Sequence, residues 1–207
     1  SSTNTTRDAN GNIVQYGSDA ITYQSPSKVT GKTAAELQAI GRALYMENCA
    51  SCHGLKADGV LAKGNPEAYP SLLGLGPAVI DFWISSGRMP AADPTVIQAA
   101  RKPSRLSRAQ SLAISAWVSS LGDGYPYIPK VNTKDASLSS GLSLFALNCA
   151  ACHTITGGGD ALAQGTYAPS LQNSAITATQ IAVAIRSGPG NMPNFGSSLT
   201  DQQVADI

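Results

Sequence analysis

An internal repeat constrains this 207-residue chain more than any other feature of its sequence. Residues 41–53, GRALYMENCASCH, align with residues 141–153, GLSLFALNCAACH. The similarity continues along the chain: Pro-Ser-Leu recurs at 70–72 and 169–171, Ile-x-Ser-Gly at 84–87 and 185–188, and Met-Pro at 89–90 and 192–193. A repeat of this length indicates two homologous domains.

Each repeat begins with a predicted helix and has a second helix after its methionine. Thr33–Glu36 has the spacing of a capping box, and the apolar residues after it keep a helical period. Ser107–Gln110 and Thr200–Gln203 give the same signal for the second helices. Sustained strand patterns are absent from the sequence. We therefore predict an all-α protein with two tandem domains.

Composition divides the chain into four segments. Residues 1–32 are polar and aperiodic, which predicts an extension rather than a packed element. The first domain is predicted over 33–122 and the second over 135–207. The linker between them, 123–134, overlaps a run with two Gly and two Pro in eight residues, which stops helices. Aligned on the first repeat, the last helix of the second is expected to be truncated at Ile207.

All four cysteines and both histidines of the chain lie in two Cys-x-x-Cys-His motifs. This is the attachment pattern of c-type haem, in which two thiols bond to the porphyrin and the adjacent His ligates iron. The predicted thioether residues and axial ligands are Cys49, Cys52 and His53, and Cys149, Cys152 and His153. The sequence thus predicts two covalently bound haem c groups.

Two other kinds of site use cysteine pairs, and both stay open as alternatives. A structural zinc site built from Cys pairs usually has closer partners than these two motifs, which lie in separate repeats. A thioredoxin-like redox pair belongs to a βαβ pattern, which surrounds neither motif. Haem is favoured because it accounts for every Cys and His.

Methionine is the candidate for the sixth iron ligand, since the chain has no further His. Met89 and Met192 occupy equivalent positions in the repeats, and each precedes a rigid Pro. Core packing is the alternative role for each. Met46 has Ala146 as its repeat counterpart and is predicted to pack in the core or at the haem edge. His/Met ligation leaves no open position on iron, so we predict electron transfer without substrate chemistry in this chain.

Charge and hydropathy exclude some partners. The chain has 14 Lys and Arg against 13 Asp and Glu, a net charge of +1. This balance argues against nucleic acid or an anionic membrane surface as a partner. The most apolar run, Leu112–Leu121, is far shorter than the roughly 20 residues of a transmembrane helix.

The residues around each motif resemble the class I cytochrome c family. That family has a Gly eight residues and an aromatic residue four residues before the first Cys. Gly41 and Tyr45 match in the first repeat, and Gly141 and Phe145 match in the second. The resemblance implies that the Gly lets two helices cross closely and that Tyr45 packs beside Trp117. It also implies one domain wrapped around each haem.

The same resemblance implies a partner for each axial histidine. In the family, the carbonyl of a Pro after the haem motif accepts the Nδ1 proton of the histidine. Such a contact fixes the tautomer and the strength of the ligand. Pro70 and Pro169 are the matching positions.

From about Gly41 to Ile207 the chain more closely resembles the dihaem cytochrome c subunit of the actinobacterial-type cytochrome bcc complex, a menaquinol–cytochrome c reductase. The supporting strings are SSGRMP at 85–90, LNCAACH at 147–153, GTYAPSL at 165–171 and SGPGNMPNF at 187–195. The resemblance implies that two haems relay electrons from a Rieske iron–sulfur protein to a terminal oxidase, with cytochrome b in the same complex. It also implies the outer face of the cell membrane, with anchoring through segments absent from this chain.

Two other functions fit the same haem motifs. One is a free-standing dihaem carrier resembling cytochrome c4. The other is the cytochrome subunit of a periplasmic dehydrogenase, in which one haem is expected to be five-coordinate or to have an unusual ligand.

Overall fold

Helices dominate the structure, a computed structural model that describes residues 4–60, 69–93, 96, 98–173 and 175–207. The α-helices of these residues are α1 Pro26–Thr30, α2 Ala34–Asn48, α3 Ala50–His53, α4 Pro77–Ser85, α5 Arg108–Ser119, α6 Leu138–Asn148, α7 Ala150–His153, α8 Ala178–Ser187 and α9 Asp201–Asp206. A 3₁₀ turn spans Ala163–Gly165. Within the described ranges, no helix has both the length and the apolarity needed to cross a membrane.

Short strands correct the prediction of an all-α protein. They are β1 Thr6–Arg7, β2 Ile13–Gly17, β3 Ile21–Gln24, β4 Ile128–Val131, β5 Asp160–Ala161 and β6 Tyr167–Ala168. The first four form one sheet in chain order, and β5 pairs with β6. β1 is antiparallel to β2, with Thr6 opposite Gln15, and β5 is antiparallel to β6, with Ala161 opposite Tyr167. The protein is therefore mostly helical, with small sheets.

The segment from residue 4 to residue 32 is not the unpacked extension that its composition predicts. Ile21 and Tyr23 of β3 are buried. α1 follows, with Ser25 as its N-cap and a left-handed Gly31 as its C-cap. The strands were missed because they are at most five residues long and lie between polar turns. Residues 1–3 of the predicted extension lie outside the described ranges.

The chain divides into two compact units. The first unit comprises residues 4–16 and 23–128, and the second comprises residues 17–22 and 129–207. Each unit contains one Cys-x-x-Cys-His motif. The predicted boundaries differ from this division: residues 17–22 group with the second unit, and residues 4–16 and 23–32 group with the first.

In the first unit, α2 and α5 cross at a glycine. A β-carbon placed on Gly41 would lie 1.9 Å from the carbonyl oxygen of Ala113, so only Gly allows this approach. The rings of Tyr45 and Trp117 pack beside the crossing, with centroids 4.6 Å apart. The predicted glycine crossing and aromatic pair are therefore confirmed. So are the capping boxes that begin the two helices, at Thr33 for α2 and Ser107 for α5.

The second unit repeats this crossing with α6 and α9. A β-carbon on Gly141 would lie 1.9 Å from the carbonyl oxygen of Asp206. α9 begins with the predicted capping box at Thr200. The sequence separation between Thr200 and Asp206 equals that between Ser107 and Ala113. The two crossings therefore occupy equivalent positions in the repeat.

Four tyrosines of the first unit pack together beside its sheet strands. Tyr16 stacks on Tyr23 with centroids 5.0 Å apart, and Tyr125 stacks on Tyr127 at 5.1 Å. The hydroxyl of Tyr16 accepts a hydrogen bond of 3.2 Å from the backbone N–H of Tyr127. The hydroxyl of Tyr127 donates one of 2.9 Å to the carbonyl of Ile13. This cluster joins the beginning and the end of the unit.

Candidate functional site

In the first unit, the end of α2 leads directly into the haem motif. The backbone N–H of Cys49 donates to the carbonyl of Tyr45 at 2.8 Å. The carbonyl of Cys49 then accepts from the N–H groups of Cys52 and His53, at 3.1 and 2.9 Å. This single helical turn, α3, brings two thiols and an imidazole together at the end of a helix fixed by the α2–α5 crossing.

The second motif has the same backbone geometry. The N–H of Cys149 donates to the carbonyl of Phe145 at 2.8 Å. The carbonyl of Cys149 accepts from Cys152 and His153 at 3.1 and 2.9 Å. The two motifs thus share the same backbone hydrogen bonds as well as the same sequence pattern.

Each histidine of the motifs is oriented by a proline carbonyl. Nδ1 of His53 lies 2.8 Å from the carbonyl oxygen of Pro70, and Nδ1 of His153 lies 3.0 Å from that of Pro169. A carbonyl only accepts, so Nδ1 is the donor and carries the proton in both rings. The lone pair of each neutral imidazole is therefore on Nε2, the nitrogen left for a metal ion.

Backbone contacts hold each proline segment against its motif. The carbonyls of His53 and His153 accept from Gly59 and Gly159, at 2.9 and 3.0 Å. A β-carbon on Gly59 would lie 2.8 Å from the backbone nitrogen of Ser71, and one on Gly159 would lie 2.4 Å from the carbonyl oxygen of Ala168. Both glycines have positive φ, +84° and +76°. The sequence reasoning missed this pair, although the 100-residue repeat aligns the two glycines.

The two candidate methionine ligands lie on loops that follow helices. Met89 follows α4, and its N–H donates to the carbonyl of Trp83 at 3.0 Å. Met192 follows α8, and its N–H donates to Pro189 at 3.3 Å. Both side chains are partly buried. Met46 packs against the core of the first unit, as predicted. Iron ligation by Met89 and Met192 stays a prediction.

The properties of the thiols argue against a redox pair of the thioredoxin type. Burial raises the pKa of the Cys49 thiol to about 11, and burial also raises the pKa of the Cys149 thiol. Catalytic redox pairs depend on a lowered thiol pKa, because the thiolate is the reactive form. None of the four cysteines forms a disulfide.

The ligand set fits haem better than zinc. In the part of the chain that the structure describes, no three His, Cys, Asp or Glu side chains gather into a metal-ion site. A structural zinc ion requires four such ligands. Exposed apolar side chains follow both motifs, Leu55 at 72% and Ile155 at 58%. An apolar surface beside two thiols and a correctly protonated histidine fits a covalently attached porphyrin.

Comparison with known proteins extends this interpretation. Residues 38–122 match the cytochrome c family model, and residues 136–207 match the model of the cbb3-type cytochrome c oxidase subunit III. The chain is 38% identical to the cytochrome bc1 complex cytochrome c subunit of Mycobacterium tuberculosis, over 86% of this chain and 64% of that protein. It is 36% identical to the subunit of the same name from Mycobacterium leprae, over 94% and 68%. The chain belongs to the family of cytochrome bc1 complex cytochrome c subunits.

Three further facts describe the chain as a member of this cytochrome c subunit family. It contains cytochrome c domains, the class of domain that carries covalent haem c. It spans 64% of the length of the M. tuberculosis subunit. It is also 28% identical to a cbb3-type cytochrome c oxidase subunit of Cereibacter sphaeroides, over 81% of this chain and 57% of that protein.

Proposed function

We propose that this chain transfers electrons as the cytochrome c subunit of a bc1-type complex, with two covalently bound haem c groups. Thioether bonds at Cys49 and Cys52 would hold the first haem, and bonds at Cys149 and Cys152 the second. The axial ligands would be His53 with Met89, and His153 with Met192.

The observation that carries this proposal is the pair of histidine–proline hydrogen bonds. They have the same donor atom and the same acceptor in both units, at 2.8 and 3.0 Å. In the neutral ring each bond leaves the lone pair on Nε2, which supports a ligand role for both histidines rather than for one. A packing role would not require the same tautomer twice.

The residues of the chain set the chemistry of the sites. A bound haem c supplies a reversible one-electron iron couple. The carbonyls of Pro70 and Pro169 would fix the orientation and the tautomer of the histidines through their bonds to Nδ1. As ligands, the thioethers of Met89 and Met192 would favour the ferrous state and would leave no open position for a substrate. A closed position favours electron transfer over binding of oxygen or peroxide.

We infer that the electrons come from a Rieske iron–sulfur protein and leave to a terminal oxidase, with cytochrome b in the same complex on the outer face of the membrane. The names of the curated relatives support membership of a bc1-type complex. The match of residues 136–207 to an oxidase subunit supports the oxidase as acceptor.

Haem counting and ligand substitution test the sites. The full-length protein with its haems attached is expected to contain two haems per chain by pyridine haemochrome assay. Met89→Ala and Met192→Ala should each allow carbon monoxide to bind half of the ferrous haem, whereas Met46→Leu should allow none. One haem per chain, or carbon monoxide binding by the unsubstituted protein, would contradict the assignment.

Purification from native membranes tests the partners. We expect an affinity tag on this chain to recover a cytochrome b, a Rieske protein and oxidase subunits in mild detergent. Recovery of the haem-loaded chain alone would favour the free-standing carrier. Recovery with a dehydrogenase would favour a role as the cytochrome subunit of that enzyme.

A further inference from the structure

The loop that carries Met192 depends on a side chain outside it. This loop, residues 188–199, contains three Gly and two Pro, so its backbone makes few regular hydrogen bonds. Two backbone bonds join it to α8, from the N–H of Gly188 to Ala184 at 2.9 Å and from the N–H of Phe195 to Ile185 at 3.0 Å. The second half of the loop also needs donors for its carbonyl groups.

Arg186, on the last turn of α8, provides these donors. Its Nη1 donates to the carbonyls of Gly196 at 3.0 Å and Leu199 at 2.5 Å. Its Nη2 forms an ion pair with Asp201 at 2.8 Å. The side chain is only 11% exposed, so the guanidinium exchanges most of its hydration for these partners. Arg186 therefore connects α8, the end of the methionine loop and the start of α9.

Asp201 is itself held in place. Its second carboxylate oxygen accepts from the Ser18 hydroxyl at 2.8 Å. Ser18 belongs to residues 17–22, which are part of the same compact unit. The Ser18 oxygen also accepts from the backbone N–H of Ile21 at 3.2 Å. Ser18 thus holds Asp201 in place, and Asp201 in turn holds the guanidinium of Arg186.

The first unit holds its methionine loop differently. The repeat places Ser85 at the position of Arg186. Here the cation comes after the methionine in the sequence: Nζ of Lys102 donates to the carbonyl of Pro90, next to Met89, at 2.8 Å. Lys offers a single charged point, whereas the planar guanidinium of Arg contacts several acceptors at once.

We propose that Arg186 is a positioning residue for Met192, and that it keeps the methionine loop of the second unit in the conformation required for ligation. This inference rests on the proposed function, in which Met192 binds the second haem iron. The first haem does not depend on Arg186, because Lys102 holds its loop. A different cation therefore holds each methionine loop, Lys102 that of Met89 and Arg186 that of Met192.

The test compares Arg186→Gln with Met192→Ala in the full-length protein with both haems attached. Gln keeps polarity but loses the ion pair and the two-carbonyl contact. Arg186→Gln should remove up to half of the Met–iron charge-transfer absorbance of the ferric protein and let up to half of the ferrous haem bind carbon monoxide. Arg186→Lys should show a smaller loss, and the exposed Arg105→Gln should match the unsubstituted protein.

The outcomes separate this inference from the proposed function. If Met192→Ala leaves the absorbance band unchanged, methionine ligation at the second haem is wrong. If Met192→Ala halves the band while Arg186→Gln leaves band and carbon monoxide binding unchanged, the positioning role alone is wrong. Should Arg186→Gln fail to fold, Ser18→Ala leaves the Arg186 contacts in place and removes the Ser18 bond to Asp201, together with the local bond from Ile21. That variant should raise carbon monoxide binding measurably at unchanged helicity, and no rise would overturn the proposal.

Discussion

The hydroxyl of Tyr45 donates a hydrogen bond of 2.8 Å to the carbonyl of Gly54, the residue directly after the first motif. Tyr45 is fully buried, and desolvation raises the pKa of its hydroxyl above the usual value. The bond ties α2 to the residue at which the chain leaves the first Cys-x-x-Cys-His motif. In the second unit the equivalent residue is Phe145, which has no hydroxyl.

Tyr45→Phe should therefore destabilise the first unit by about 1 kcal/mol, the usual contribution of a partly buried hydrogen bond. Tyr45→Leu should cost more, because it also removes the ring that packs on Trp117. Denaturant unfolding of the haem-loaded protein measures both. Equal stability of the Phe variant and the unsubstituted protein would show that the hydroxyl contributes nothing.

Alanine at either crossing glycine should force two helices apart. Gly41→Ala and Gly141→Ala each place a β-carbon 1.9 Å from a backbone oxygen, which no side-chain rotation relieves. We expect a loss of about 1–3 kcal/mol for each. Arg42→Ala, at the exposed neighbouring position of α2, is the matched control and should change little. Thermal unfolding, monitored by circular dichroism, checks the prediction. It fails if the glycine variants unfold at the same temperature as the Arg42→Ala control.

The N-cap of α5 offers a test at the surface of the first unit. The Ser107 side chain accepts from the N–H of Gln110, and the Gln110 side chain accepts from the N–H of Ser107. Ser107→Ala should cost about 1 kcal/mol. Ser107→Asp should retain most of the stability because Asp also caps well. A similar loss for Asp and Ala would rule out capping as the cause.

Stability of the second unit should fall in acid because of Asp206. The backbone N–H of Ser137 donates to its carboxylate at 2.9 Å, and this bond is the main reason that the pKa of Asp206 lies below its usual value. A carboxyl with a lowered folded-state pKa stabilises the fold above the unfolded pKa of about 4. That stabilisation disappears as the pH falls through the folded pKa. Asp206→Asn should therefore show a flatter stability profile between about pH 5 and 2.

The measurement is urea unfolding at a series of pH values. Asp160→Asn removes another exposed carboxylate of the same unit and serves as the control. Parallel profiles for the Asp206→Asn variant and the unsubstituted protein would contradict the role of Asp206.

Local signals predicted much of the site. The capping boxes, the crossing at Gly41 and the contact of Tyr45 with Trp117 depend on residues whose spacing is visible in the sequence or in its resemblance to class I cytochromes c. The repeat made two of these predictions in both halves, the capping box of the second helix at Ser107 and Thr200, and the crossing glycine at Gly41 and Gly141. The hydrogen-bond pattern of the two motifs then follows from one short helical turn.

Contacts between distant segments were not predictable in the same way. The strands were missed because their partners are set by pairing with other strands rather than by local periodicity. Arg186 was missed because its partners, two loop carbonyls and Asp201, become neighbours only when the loop folds back on α8. No spacing rule identifies such a network.

The tyrosine cluster has a consequence for the rate of folding. Tyr127 meets Tyr16 across 111 positions of the chain, with the first Cys-x-x-Cys-His motif between them. Contacts of such long range close a large loop, and the entropy lost on closure slows folding. We therefore expect the helices around the motif to form early and the tyrosine contacts to form last.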